Sequence, residues 1–132
     1  MHNKILCVDD DPITLMLCKK VIAKANFSDD IESAKDGVEA LQFFNSVIDD
    51  DKKSENYPKL VFLDLNMPIM DGWEFLDEFS KNLTASFPMT KIIVLSSSVD
   101  PKDINKSKNY PMVLDFLPKP ITVEMLNNIK NI

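Results

Sequence analysis

KILCVDDDPITLMLCKKVIAKA, residues 4–25, decides the fold. Lys4–Val8 is an apolar run of strand length, too short for an ordinary helix. Asp11 is a good N-cap residue, and Pro12 suits the first helical position, where its missing N–H costs no hydrogen bond. Ile13, Met16, Leu17 and Val21 then recur at helical spacing, predicting a helix to about Ala25 with these four as its apolar stripe. A strand that passes through a capped turn into a helix opens a βαβ unit.

The alternation repeats along the chain. Apolar runs at Lys59–Leu63, Lys91–Ser96 and Met112–Leu117, with a weaker alternating one at Asp30–Ala34, make five candidate strands in all. Between and after them, Val38, Leu41, Phe44 and Ile48, then Trp73, Leu76, Phe79 and Leu83, then Met125, Leu126, Ile129 and Ile132 form single helical stripes. The gap at Pro101–Asn109 holds a shorter fourth helix in which Ile104 is the one clear apolar anchor. Such a chain is expected to form an α/β, doubly wound parallel sheet with five helices on its two faces. Strands one, three and four are continuously apolar, as two-sided burial requires. Strand two carries Asp30 and Glu32, and strand five carries Asp115 and Pro118, which places both at the edges. The order 2-1-3-4-5 satisfies this and puts the topological switch point between strands one and three, where open α/β sheets bind ligands at the carboxyl ends.

Bulk properties narrow the function. With 132 residues, 45% of them hydrophobic and 27% charged, the chain is expected to form one domain over residues 1–132. The net charge of −6 opposes a direct grip on nucleic acid. No twenty-residue apolar span or secretory profile occurs, so no membrane partner is expected and the chain reads as cytoplasmic. His2 is the only histidine, which argues against zinc hydrolases, serine or cysteine hydrolases and phosphohistidine carriers. Cys7 and Cys18 fall in apolar patterns and read as buried free thiols rather than a disulfide or a metal pair. Asp49–Tyr57 reads as a solvated loop.

The chemistry is expected at the strand ends. Asp9 and Asp10 follow strand one, Asp64 follows strand three, Ser96 and Ser97 close strand four, and Lys119 follows strand five. Three carboxylates gathered there repel unless a hard, oxygen-seeking cation such as Mg²⁺ sits among them. If all three aspartates of Asp9–Asp11 merely capped the helix, Asp11 would be explained and Asp9 left idle. Asp64, on the central strand, is the best candidate nucleophile, since carboxylates form acyl phosphates in phosphoryl transfer. That transfer needs positioning and charge neutralisation, which the cation and the Lys119 ammonium would supply, with Ser96 donating to a phosphoryl oxygen.

These residues resemble the receiver domain of two-component response regulators over essentially the whole chain. The resemblance rests on ILCVDDDP at Ile5–Pro12, LDLNMPIMDG at Leu63–Gly72, IIVLSSS at Ile92–Ser98 and FLPKP at Phe116–Pro120. It implies a flavodoxin-like fold and a Mg²⁺ site, with Mn²⁺ as a substitute, at Asp9, Asp10, Asp64 and the backbone carbonyl of Asn66. It further implies phosphorylation of Asp64, a switch pair in Ser96 and Phe116, and a phosphate-binding Lys119 joined to Pro120 by a cis peptide bond. The implied donor is a sensor histidine kinase or a histidine phosphotransfer protein. The implied output is a downstream protein docked on the face of helix four, strand five and helix five, the chain itself being a monomer or weak dimer. Ser96 stands where threonine is commoner, and the connection before strand three is longer than usual for the family. No second domain follows Ile132 in this sequence, so output is expected to pass through a protein partner unless the domain is excised from a longer chain.

Two other readings are weaker. A phosphatase or phosphotransferase with an aspartyl-phosphate intermediate would want an aspartate two residues after the nucleophile, where Asn66 stands. An interaction module that had lost phosphorylation would be expected to lack Asp9, Asp64 or Lys119, and all three are present.

Overall fold

Two-sided burial sorts the strands as their composition predicts. In the structure, a computed structural model that describes residues 4–48 and 57–129, β1 (Ile5–Val8), β3 (Leu60–Asp64) and β4 (Lys91–Ser96) are buried apart from half-buried Lys91. β2 (Ile31–Ala34) and β5 (Val113–Pro118) are largely half-buried or exposed. The five form one parallel sheet in the order β2-β1-β3-β4-β5. Strand pairing at the central position is in register to the last residue: Val8 lies opposite Leu63, and Asp64 opposite Leu95.

The connecting helices are α1 (Pro12–Lys24), α2 (Gly37–Ile48), α3 (Gly72–Glu78), α4 (Pro101–Ser107) and α5 (Val123–Asn128). All five have a side-chain N-cap: Asp11, Asp36, Asp71, Asp100 and Thr122 accept from Ile13, Glu39, Glu74, Lys102 and Met125 backbone N–H groups respectively. Each such cap stabilises its helix by about 1 kcal/mol. α3 runs on into a π-helical turn at Phe79–Leu83, closed by the Thr84 N–H on the Phe79 carbonyl at 3.0 Å.

Period-two alternation sends strand residues to two cores. Leu6, Val8, Val61 and Leu63 join Phe44, Phe75, Phe79 and Phe87 on one face. Phe44 meets Phe87 and Phe79 edge-on with ring centroids 4.8 and 5.2 Å apart. Ile5, Cys7, Leu60 and Phe62 join Cys18, Ile22, Phe27 and Leu126 on the other. Burial of each large side chain contributes about 1.5–3 kcal/mol. Hydrogen bonding with Cys18 and burial push the Cys7 thiol well above its ordinary pKa, and both cysteines are free thiols as the sequence suggests.

Two expectations fail here. Of the stripe Ile13, Met16, Leu17 and Val21, only Val21 packs against the core: the first three are 63%, 48% and 45% exposed, while Cys18 and Ile22 are buried. The physical reason is that α1 is apolar nearly all round, so Leu15, Cys18, Ile22 and Ala25 form an equally regular stripe, and packing chose that one. The second concerns Tyr57, placed in a solvated loop. It is buried against Phe87 at 4.9 Å, with the Lys59 ammonium 3.3 Å from its ring centroid and its hydroxyl accepting from the Met89 N–H at 3.3 Å. The rest of that loop, residues 49–56, and Ile132 lie outside the described residues.

Candidate functional site

The ends of β1 and β3 carry the acidic residues because the chain passes from buried strand to capped helix there. The Asp9 N–H donates to the Ala34 carbonyl at 3.0 Å, so main-chain pairing holds Asp9 at the sheet edge. Its Oδ1 accepts from the Asp11 N–H at 3.0 Å, which ties the carboxylate to the start of α1. Asp9 and Asp64 are buried and Asp10 is exposed. One carboxylate oxygen from each lies within 4.8 Å of the other two.

Lys119 reaches this cluster from the far side of the sheet. Its backbone N–H donates to the Ser96 carbonyl at 2.9 Å, and its bond to Pro120 is cis. Its Nζ lies 2.6 Å from Asp9 Oδ2 and 3.1 Å from Asp64 Oδ1. Burial works to lower its pKa, but the Asp9 hydrogen bond and the Asp64 charge outweigh it and hold the ammonium above its ordinary value. Burial, and then repulsion from Asp9, raise the Asp64 carboxyl, against the pull of Lys119 and a hydrogen bond from the Asn66 backbone N–H. One ammonium against three carboxylates leaves the cluster under-neutralised. Three oxygen donors of this kind fit a hard divalent cation.

Glycine makes the geometry possible. A Cβ on Gly72 would lie 2.6 Å from the Asp64 carbonyl oxygen and 2.8 Å from Leu65 Cα, so α3 can begin this close to the end of β3 only without a side chain. The Gly72 N–H donates to the Leu65 carbonyl at 2.9 Å, fixing the approach. The loop between them contains Ile69 at φ 70°, an unusual backbone conformation for a β-branched residue. Neither the close approach nor the unusual isoleucine backbone is legible in the sequence, where Asp71–Gly72 shows only as the end of the motif Leu63–Gly72.

The remaining candidates are arranged differently. The Ser96 hydroxyl donates to the Ser98 carbonyl at 2.7 Å and accepts from the Ser98 N–H at 3.2 Å, so it is turned into the loop before α4 and away from the acidic hydrogen-bond set. Phe116 is half-buried on β5 opposite Val94. It lines a separate cavity of about 140 Å³ shared with Ile104 and Ser107 of α4. Asn66 is exposed beside Asp64.

Residues 5–130 match the family model described as the response regulator receiver domain. The chain belongs to that family. As a receiver domain of two-component systems, it is similar to the two-component response regulator ARR10 of Arabidopsis thaliana. The two are 28% identical over 126 residues, 96% of this chain and 20% of the relative. It is also 39% identical over 72 residues to the peroxide stress-activated histidine kinase mak3 of Schizosaccharomyces pombe, covering 54% of this chain and 3% of the relative. The receiver domain thus spans a fifth or less of the length of these curated relatives. A solved two-component response regulator from Cytophaga hutchinsonii superposes with a TM-score of 0.88 at 29% identity, covering 98% of this chain and 94% of the other. The flavodoxin-like sheet order expected from the sequence is the one observed. Among the described residues, no helix is long and apolar enough to cross a membrane.

Proposed function

We propose that this receiver domain accepts a phosphoryl group on Asp64 from the phosphohistidine of a sensor kinase or histidine phosphotransfer protein, and signals to a protein partner in the cytoplasm. The observation that carries this reading is the Lys119 ammonium lying 2.6 and 3.1 Å from Asp9 and Asp64, the buried carboxylates. An Asp64 oxygen attacks phosphorus, the P–N bond of the donor breaks, and the imidazole leaves with a proton. Asp9, Asp10, Asp64 and the Asn66 carbonyl would hold Mg²⁺, or Mn²⁺ in its place. That cation supplies charge neutralisation for the phosphoryl oxygens. A related fold, the response regulator Rcp1, is described in a Mn²⁺-bound form; at 23% identity it supports the fold alone.

After transfer, the product adds about 1.5–2 negative charges at this position. Lys119 would pair with the new phosphoryl oxygens, and Ser96 would turn from Ser98 to donate to them. The space so vacated would admit Phe116, and α4, β5 and α5 would form the output face. Exposed Ile13, Met16 and Leu17 on α1 and Ile69, 82% exposed after β3, offer apolar contact for the donor near the acceptor.

Incubation with Mg²⁺ and acetyl phosphate, followed by intact mass measurement, tests the acceptor. One phosphoryl group should be added to the unaltered chain and none to Asp64→Asn. Full labelling of Asp64→Asn would falsify the assignment.

A further inference from the structure

Neither cysteine enters the chemistry described above, yet both stand beside it. Cys7 lies on β1 two residues before Asp9, and Cys18 lies in the body of α1, the helix that starts after Asp11. Their sulfur atoms are 3.4 Å apart. A disulfide bond of about 2.05 Å asks the pair to close by about 1.4 Å. β1 is fixed between β2 and β3, so the closing movement falls on α1, whose exposed outer face presents little resistance.

The pair is not sealed from small molecules. Both thiols line a cavity of about 240 Å³ whose walls include Leu17 and Leu95 on the apolar side and Asp9 and Lys119 on the polar side. A water molecule occupies about 30 Å³ of liquid, so the cavity has room for a small neutral oxidant. Two thiols in near contact, reached through a cavity that ends at the acidic cluster, are placed to report oxidation to that cluster.

We propose that Cys7 and Cys18 form a redox modification site, which hydrogen peroxide converts to an intramolecular disulfide that slows phosphoryl acceptance at Asp64. The sulfur of Cys18, the less enclosed of the two, attacks one peroxide oxygen. The O–O bond breaks, and the departing oxygen leaves as water with the thiol proton, giving a sulfenic acid. The Cys7 sulfur then attacks the sulfenic sulfur; the S–S bond forms, the S–O bond breaks, and a second water leaves with the second thiol proton. Two thiols lose two electrons and one peroxide gains them. Because both sulfurs are buried, the reaction is slow and senses sustained oxidant.

The consequence for phosphorylation follows from one hydrogen bond. The Asp11 N–H at the head of α1 donates to Asp9 Oδ1, and Asp9 Oδ2 holds Lys119 at 2.6 Å. A helix drawn toward the sheet through Cys18 therefore moves the partners of Asp64. The effect on rate rests on the proposed acceptor role of Asp64, whereas the disulfide itself does not.

The test treats the purified chain with hydrogen peroxide, blocks free thiols, and maps the peptides. Acetyl phosphate labelling rates are compared before treatment, after it, and after dithiothreitol. The expected result is a Cys7–Cys18 linked peptide within one chain and a labelling rate lowered by about tenfold, since a displacement of about 1 Å can cost up to about a hundredfold. Dithiothreitol should restore the rate, and Cys18→Ser should keep its rate through the treatment. Cys7→Ser serves as the second variant in case the first folds poorly. Overoxidation of one cysteine without linkage, linkage between two chains, or an unchanged labelling rate in the linked protein would overturn the proposal. If the reduced chain takes no label at all, the acceptor assignment and with it the rate effect have failed, and the linked peptide alone then decides the thiol pair.

Discussion

The carboxyl ends of β1 and β3 and the outer edge formed by β5 and α4 belong to one sheet and are built in opposite ways. At the first, buried strands in unbroken register carry two buried carboxylates to a shared ammonium. At the second, pairing slips between β4 and β5: Val113 lies opposite Ile92 and Asp115 opposite Ile93, so Leu114 is an unpaired, exposed extra residue. α4 is short, and half-buried Ile104 with buried Ser107 is its hold on the sheet side. The difference is that the acidic site is preorganised while the edge has little burial to lose when it moves. Lys119 and Ser96 join the two, one directly after β5 and the other at the end of β4, with the Lys119 N–H bonded to the Ser96 carbonyl.

Removing the shared cation should break the rigid region first. Lys119→Met leaves two buried carboxylates facing each other, and should cost about 2–4 kcal/mol in urea unfolding with divalent cations chelated. Added Mg²⁺ should then raise the thermal midpoint of the variant more than that of the unaltered chain, because the ion replaces the lost charge. Equal shifts would count against a cation site at these carboxylates. The pH dependence has a definite sign. Asp64, with its carboxyl raised, keeps its proton in the folded state longer than in the unfolded one, so its contribution to stability falls as pH rises from the unfolded value through the folded one. Lys119, also raised, contributes below the unfolded lysine value and loses that contribution as pH rises through its folded value. Asp64→Asn should flatten the acid limb of a stability profile taken without metal, and should shrink the alkaline limb as well, because the Asp64 charge helps hold the Lys119 ammonium up.

A smaller effect is expected from the backbone contact beside Asp64. Gly72→Ala puts a methyl 2.6 Å from the Asp64 carbonyl oxygen, where only backbone can give way. Overpacking of this kind costs about 1–3 kcal/mol. Labelling by acetyl phosphate should slow with it, since the strand end carrying Asp64 has to shift. An alanine variant with unaltered stability and labelling would show that the approach of α3 is not what positions Asp64.

The same contrast explains what could be read in advance. Asp9, Asp10, Asp64 and Lys119 were legible because a parallel sheet forces its strand ends to one edge, and residue type then names the chemistry. The core-facing side of α1 was not, since Ile13 and Leu17 fit helical periodicity as well as Cys18 and Ile22 do, and packing alone distinguishes them. Tyr57 sits beside a run of charged residues, and its burial depends on Phe87, thirty positions away in sequence. The bulge at Leu114 depends on two strands at once, whereas a sequence run describes one. The turn of the Ser96 hydroxyl toward Ser98 is a rotamer choice inside a loop, which residue type leaves open.

The edge formed by β5 and α4 has one further anchor, and it yields the smallest and most diagnostic effect. The Lys106 ammonium of α4 lies 4.3 Å from the ring centroid of Trp73, at the start of α3. Trp73 also packs beside Tyr110, with centroids 6.1 Å apart, and the Tyr110 hydroxyl donates to Asp77 at 2.6 Å. Burial and the neighbouring Asp77 push the Tyr110 hydroxyl up to about 12, so it remains a donor throughout the physiological range. α4 is therefore held on its α3 side by a cation–π contact that the apolar pattern could not reveal. At a largely exposed site such a contact is worth about 0.5–1 kcal/mol, which Lys106→Ala should cost. The contact is weak enough to be broken by a modest shift in the population of α4. Trp73 is the only tryptophan in the chain, so its emission reports on this contact without a label. Adding Mg²⁺ with beryllofluoride, as a mimic of the phosphoryl group, should change that emission in the unaltered chain, and the change should shrink in Lys106→Ala. Hydrogen exchange in Pro101–Ser107 and around Phe116 should rise or fall in step. Unchanged emission together with exchange altered only at Asp9–Asp11 and Asp64–Asp71 would mean that the α4 edge does not respond, and the output face would have to be sought on another side of the sheet.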